Sequence, residues 1–313
     1  MAVLGPAPAP TVDPSQPNTL RWDDIGLVLT LDFITEEEEA AMIEAFHAQD
    51  VPGRDSKSEA KAAKRRRVSR HFGYHFDYTT FGASETHFTP VPSYITSLLP
   101  RLPIQSYLPD QFTVQHYPPG SGIPPHVDTH SMFGEALYSL SFGSAVPMQF
   151  RMSGPNDARK MRLPKRSLQP DGGAAPSHNQ PGEGERDDDH HHHHEGKKGW
   201  EQQQKQQKDK EGEQVEEEEE QEPPAWELLL PARSLLLMTG PSRYGYTHAI
   251  RARKTDIIDG RTVPRRDRYS ITMRTVRRGS EVGCDCAYPG VCDARIREEM
   301  ARQGEAQERR KYE

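Results

Sequence analysis

His126 and Asp128 stand two positions apart in Pro-Pro-His-Val-Asp-Thr-His, residues 124–130. At that spacing an imidazole and a carboxylate share one face of an extended strand and can grip one metal ion together. A distant histidine would complete the facial set of two His and one carboxylate that holds non-haem Fe(II) and leaves positions open for substrate chemistry. His-x-Asp by itself is common, so the weight falls on residues further along the chain and on their order. His248 comes next, in the strand-like run Thr247-His248-Ala249-Ile250, and then Arg268 and Arg274 in Arg-Tyr-Ser-Ile-Thr-Met-Arg. The two arginines are an even number of positions apart and face the same side of a strand. Two guanidiniums turned inward need anionic partners, and a dicarboxylate cosubstrate would supply them through bidentate pairing.

A second metal set is suggested by the cysteines. All three, Cys284, Cys286 and Cys292, lie close together near the C-terminus. In a reducing compartment such clustering favours a metal site over a disulfide scaffold.

These residues need a frame, and the chain provides less folded sequence than its 313 residues suggest. Only 33% of them are hydrophobic and the mean hydropathy is -0.87, values pulled down by a polar tract. That tract, residues 153–224, holds Gly/Pro-rich sequence, the run His190 to His194 and the run Glu216 to Glu220. It is expected to be a disordered acidic insertion, and a Pro/Ala-rich tail over 1–18 is expected to be disordered too. The acidic total sits in the tract, so the body of the chain is mildly basic. Basic residues gather at Lys61, Lys64 to Arg67 and Arg70, and again at Arg251, Arg253, Lys254, Arg261, Arg265 and Arg266, which would suit a polyanionic partner. No apolar run approaches the roughly 20 residues that would span a bilayer. The expectation is a soluble protein of the cytoplasm, with the nucleus left open, and no membrane partner.

The elements follow from periodicity. Apolar alternation through Leu27, Leu29 and Leu31 predicts a strand; Thr35 and Glu38 form a capping box before a helix carrying Met42, Ile43 and Phe46. A short helix is expected near Ser93 to Leu99. After Pro109 the period becomes two, and strands are predicted over 112–117, 126–129, 136–142, 147–152, 226–230, 234–238, 247–253 and 268–276. The predicted class is α+β, mainly β: a double-stranded β-helix or jelly roll with N-terminal helices packed on one sheet. It would occupy 19–293, interrupted by the insertion, with a metal-binding segment at 281–293 and a charged tail at 294–313.

With these motifs in place the chain resembles the AlkB family of Fe(II)- and 2-oxoglutarate-dependent dioxygenases, and within it the tRNA-modifying branch. The resemblance rests on Arg66-Arg67-Val68, His71 to Tyr74, Tyr117 to Ile123, Pro124 to His130, Met238 to Gly240 with Ser242 to Tyr244, Cys284 to Pro289 and Val291 to Asp293. It implies Fe(II) on His126, Asp128 and His248, and 2-oxoglutarate on Tyr117, Arg268 and Arg274. Gln115 stands where the family usually has Asn, one methylene shorter. The branch also implies a structural Zn(II) on His130, Cys284, Cys286 and Cys292. The implied activity is oxidation of a substrate C–H bond coupled to decarboxylation of 2-oxoglutarate. The substrate would be a nucleic acid, first a modified wobble uridine in tRNA, contacted by Arg66, Arg67, Arg70 and Tyr74. RNA capture or further modification by a separate methyltransferase or RNA-binding partner is part of that expectation. Oxidative demethylation of N-alkylated bases and a catalytically silent binding module remain the alternatives.

Overall fold

A computed structural model describes residues 4–48, 67–77, 82–154, 157 and 225–312. Of the expected insertion only Ser153, Gly154 and Asp157 fall among the described residues; Arg66 falls outside them. In chain order the elements are β1 (Thr11–Val12), β2 (Thr19–Trp22), β3 (Leu27–Thr30), α1 (Glu36–Ala48), β4 (Val68–Asp77), β5 (Gly82–Thr89), α2 (Ser93–Thr96) and β6 (Gln111–Tyr117). There follow β7 (Ile123–His126), β8 (Phe133–Phe142), β9 (Val146–Met152), β10 (Ala225–Leu230), β11 (Ser234–Met238), α3 (Gly240–Tyr244) and β12 (Tyr246–Ile250). The hairpin β13 (Thr255–Ile258) and β14 (Arg261–Pro264), then β15 (Arg268–Val276) and α4 (Asp293–Tyr312), complete the body.

Two antiparallel sheets form a double-stranded β-helix. The larger runs β1-β2-β3-β11-β8-β15-β6-β4-β5 and the smaller β10-β9-β12-β7. Alternating apolar residues seal them together: Leu137, Leu236 and Met238 from the larger sheet meet Met148, Phe150 and Trp226 from the smaller. The outer face of the larger sheet is covered by the N-terminal helices, with Met42, Phe46, Ile95 and Leu98 packed against Phe112, Val114 and Ile271. The capping box forms as expected: Thr35 N donates to Glu38 Oε2 at 2.8 Å, and Glu38 N to Thr35 Oγ1 at 3.2 Å.

Two expectations are corrected, and two further segments prove regular. The tail over 1–18 is not free chain: Thr11 and Val12 pair with Arg21 and Leu20, and the indole of buried Trp22 donates to Pro8 O at 2.7 Å. A buried indole N–H needs an acceptor, and the Pro-rich segment provides it. The strand expected at 126–129 lies at Ile123–His126 instead, so Asp128 stands beyond its end. The charged tail is helical from Asp293 to Tyr312. Val68–Asp77, part of the segment that carries the expected substrate contacts Arg70 and Tyr74, forms β4, paired with β6 and β5.

The polar tract joins two neighbours. β9 and β10, which precede and follow it, are antiparallel partners, with Arg151 opposite Ala225.

Candidate active site and second metal centre

β7 and β12 lie side by side with His126 opposite His248, and their rings are 4.2 Å apart between centroids. Asp128 arrives from the segment after β7, with Oδ2 3.6 Å from His248 Nε2. The three side chains offer ligand atoms within 4.8 Å of one another. His126 Nδ1 lies 3.0 Å from Pro124 O, which fixes that nitrogen as the donor and turns Nε2 outward as a ligand. The arrangement fits a facial two-His, one-carboxylate metal site, although Asp128 reaches it from irregular backbone and not from the strand face that the spacing implied.

Charge around the trio is arranged for a bound cation. Burial works against an ionised Asp128, but Arg274 beside it, and then His248 and His126, outweigh that and hold the carboxyl far below the ordinary range. Arg274 reaches it through Nε at 2.7 Å and Nη2 at 2.5 Å, while Nη1 donates to Gln111 Oε1 at 3.0 Å. Burial, with His126 close by, pushes His248 down to about 3, so both histidines stay neutral and able to ligate at neutral pH.

This sets a pH dependence for the metal-free protein. An unfolded histidine takes up its proton near pH 6.5, whereas folded His248 does so only near 3. Between those values the unfolded state binds more protons, so acidification costs stability by up to about 1.4 kcal/mol per pH unit for each such histidine. Asp128 contributes the same sign only below about pH 4, where its unfolded carboxyl protonates. We expect the melting temperature of chelator-treated protein to be flat above about pH 7 and to fall from about 6.5 to about 4.5, with a shallower fall in His248→Gln. Parallel profiles for the two proteins would contradict this.

A cavity of about 710 Å3 opens over the trio, lined among others by Tyr117, His126, Asp128, His248, Arg268 and Arg274. Arg268 is buried to 2% exposure with Tyr117 stacked 5.0 Å from its guanidinium carbon. Its Nη2 donates to Ser141 Oγ at 2.8 Å, but Nε and Nη1 have no hydrogen-bond partner among the described residues. Unsatisfied donors on a buried cation, turned to a cavity beside a metal site, fit a ligand carboxylate. Gln115 also lines the cavity; it accepts from Tyr117 Oη at 2.5 Å and donates to Ser69 Oγ at 3.2 Å.

The substrate contacts expected from the sequence divide. Arg67 lines the cavity. Arg70 and Tyr74 point to the opposite face of β4: Arg70 lies 4.3 Å over the Phe46 ring of α1, and Tyr74 packs between Phe88 and Arg278. The residues of β4 that do reach the cavity are Ser69, His71 and Phe76. Alternation from Arg67 would have found Ser69 and His71; the irregularity between Tyr74 and Phe76 turns Phe76 to the same side. In the second basic cluster Arg265 is buried on Asp256, at 2.6 and 2.8 Å, and Arg253 is shared by Asp256 and Glu227, so both brace the β13–β14 hairpin.

His130, Cys284, Cys286 and Cys292 also converge, with ligand atoms within 4.8 Å of one another and His130 Nδ1 3.5 Å from Cys286 Sγ. His130 Nε2 is buried without a hydrogen-bond partner among the described residues, and burial lifts the Cys292 thiol to about 12. A cation here would reverse that, because thiolates ionise on a metal. The set has the composition and convergence of a Cys/His metal site. Close approach depends on Gly245: a Cβ there would stand 2.4 Å from the Tyr288 ring.

The double-stranded β-helix, the trio lining its cavity and the paired arginines define an iron- and 2-oxoglutarate-dependent oxygenase. The chain matches the 2OG-Fe(II) oxygenase superfamily over residues 26–274 and belongs to it. It is similar to the tRNA (carboxymethyluridine(34)-5-O)-methyltransferase alkbh8 of Xenopus tropicalis, 28% identical over 86% of this chain and 34% of the relative. Its similarity to ALKBH8 of Macaca fascicularis is 30% over 87% and 33%, and to the alkylated DNA repair protein ALKBH8 homolog of Arabidopsis thaliana 28% over 86% and 62%. The chain thus spans about a third of the length of the animal relatives. Among solved structures it is similar to OsALKBH1, with TM-score 0.45 and 13% identity over 82% of this chain and 99% of that one. Among the described residues no helix is long and apolar enough to cross a membrane.

Proposed function

We propose that this oxygenase acts on tRNA and hydroxylates the side chain of a modified uridine at the wobble position. The observation that carries the reading is similarity along 86–87% of the chain to proteins named for carboxymethyluridine 34 of tRNA. Those names also specify methyl transfer, but the matched third is an oxygenase by family, so the nucleoside is what the likeness supports.

With iron and 2-oxoglutarate bound, the site would couple oxidative decarboxylation of the cosubstrate to insertion of oxygen into a substrate C–H bond. His126, Asp128 and His248 would hold the metal on one face. Arg268 and Tyr117 would take the distal carboxylate, and Arg274 would orient Asp128 at the metal end. The Ser69 and His71 face of β4, with exposed Arg67 at its start, would border the nucleoside and its phosphates.

Mass spectrometry of tRNA nucleosides from cells lacking the protein tests this. Expected is loss of the hydroxylated wobble uridine with build-up of its unhydroxylated precursor. The name of the Arabidopsis relative favours a second reading, repair of alkylated bases. Unchanged hydroxyuridine with accumulated N-methyl bases would select it.

Zn(II) is our assignment for the Cys/His set, because Cys3His is a common closed tetrahedral zinc site. Cys284→Ser should lose one zinc per chain by elemental analysis and retain iron; equal zinc in both proteins would defeat it.

A further inference from the structure

Asp128 belongs to a stretch with no sheet partners. From Val127 to Met132, between β7 and β8, the backbone is irregular and every residue is buried. Buried backbone groups must be paired, so something other than a strand ladder has to hold this segment and with it the carboxylate.

The partners can be counted one by one. Arg243, 2% exposed on α3, donates Nη1 to Asp128 O and Nη2 to Thr129 O, both at 2.9 Å, and reaches Phe133 O and Gly134 O at 3.4 Å. It spends its guanidinium on carbonyls and not on a carboxylate. From the other side Asp293, 5% exposed at the start of α4, accepts the N–H of His130 at 2.9 Å and of Ser131 at 3.0 Å on one oxygen. Its second oxygen accepts the Ser131 hydroxyl. Two further carbonyls, Ser131 O and Met132 O, are met by Gly283 N at 2.9 Å and Arg277 N at 2.8 Å. A buried cation therefore holds the carbonyls of Asp128 and Thr129 while a buried anion holds the amides of His130 and Ser131.

We propose that Arg243 and Asp293 are positioning residues that together set the place of the Asp128 carboxylate at the metal trio. The inference rests on reading that trio as the iron site. Asp293 follows Cys292 directly, so the C-terminal segment acts on the trio through a carboxylate of its own, in addition to any metal held by the cysteines. Neither residue touches substrate or the reacting atoms.

The test is a Co(II) titration of the zinc-loaded full chain, followed by visible absorption of the bound ion, with zinc measured in the same samples. Asp293→Ala should weaken Co(II) binding at least tenfold and alter the spectrum while zinc stays at the wild-type level. Asp293→Asn can keep the acceptor for both amides and should remain within threefold of wild type. Arg243→Lys keeps the charge but cannot reach four carbonyls, and should behave like Asp293→Ala. If Asp293→Ala does not fold, Asp293→Ser replaces it, since serine keeps a polar group at the start of α4 but is too short to reach the His130 and Ser131 amides. Co(II) affinity within twofold of wild type in a folded Asp293→Ala or Asp293→Ser protein overturns the inference. So does zinc loss parallel to Co(II) loss, which would route the effect through the cysteines. Failure of the iron reading is seen separately, as Co(II) binding unaffected by His126→Ala.

Discussion

Asp128→Ala should abolish succinate formation, lowering turnover with Fe(II) and 2-oxoglutarate roughly a thousandfold, which corresponds to about 4 kcal/mol of lost transition-state stabilisation. The carboxylate is the one anionic ligand in the trio, and its removal leaves two neutral imidazoles. It also takes from the Arg274 guanidinium, 8% exposed, the carboxylate it holds at 2.5 and 2.7 Å, while the neutral acceptors Gln111 and Thr113 stay. Breaking a buried ion pair by removing one partner costs about 3–5 kcal/mol, so the single variant should melt markedly lower as well. The two effects separate in Asp128→Ala with Arg274→Met, where most of the melting temperature should return and activity should not. Turnover within tenfold of wild type in the single variant would remove Asp128 from the metal site, whereas no succinate from the wild type itself would leave the silent binding module as the main account.

Arg268→Met should move stability and binding in opposite directions. In the cosubstrate-free protein Arg268 is a buried cation with two unsatisfied nitrogens, and burial depresses its pKa. A methionine of similar length removes that penalty, so the free variant should melt at or above the wild-type temperature. With 2-oxoglutarate the order reverses. The wild type should be stabilised by mass action, while the variant, lacking charge-assisted bonds to the distal carboxylate, should bind about 100-fold more weakly and show almost no thermal shift. The check is calorimetry of 2-oxoglutarate binding alongside melting curves. A variant destabilised when free but unchanged in affinity would make Arg268 an ordinary structural cation.

Much of the fold and the trio was legible in the residues alone. β11 and β15 carry the bounds the period-two pattern gives, and Thr35 with Glu38 marks the start of α1, because each depends on residues close in sequence. Arg268 and Arg274 share a face because a strand alternates. The hairpin of β4 and β5 was missed because Val68 to Asp77 interleaves basic and aromatic residues and lacks an apolar face. Arg70 and Tyr74 were put at the substrate for their chemistry, but parity along β4 turns them toward α1 and Arg278. Asp128 shows the deeper limit. Its segment is held by Arg243, Asp293 and Arg274, each more than a hundred positions away, so no local pattern could say that the strand stops at His126.

The pairing of Arg151 with Ala225 has a consequence for how such a chain can change over time. The tract lies in sequence between β9 and β10, adjacent strands of one ladder whose register carries Phe150 and Trp226 stacked 4.8 Å apart. Closing a longer loop between ends already held together costs only about 0.6 kcal/mol per doubling of its length. Sequence can therefore be gained, lost or rewritten between those two strands at almost no expense to the barrel. Lineages of this oxygenase are free to diverge there in length and charge while the metal trio stays in place.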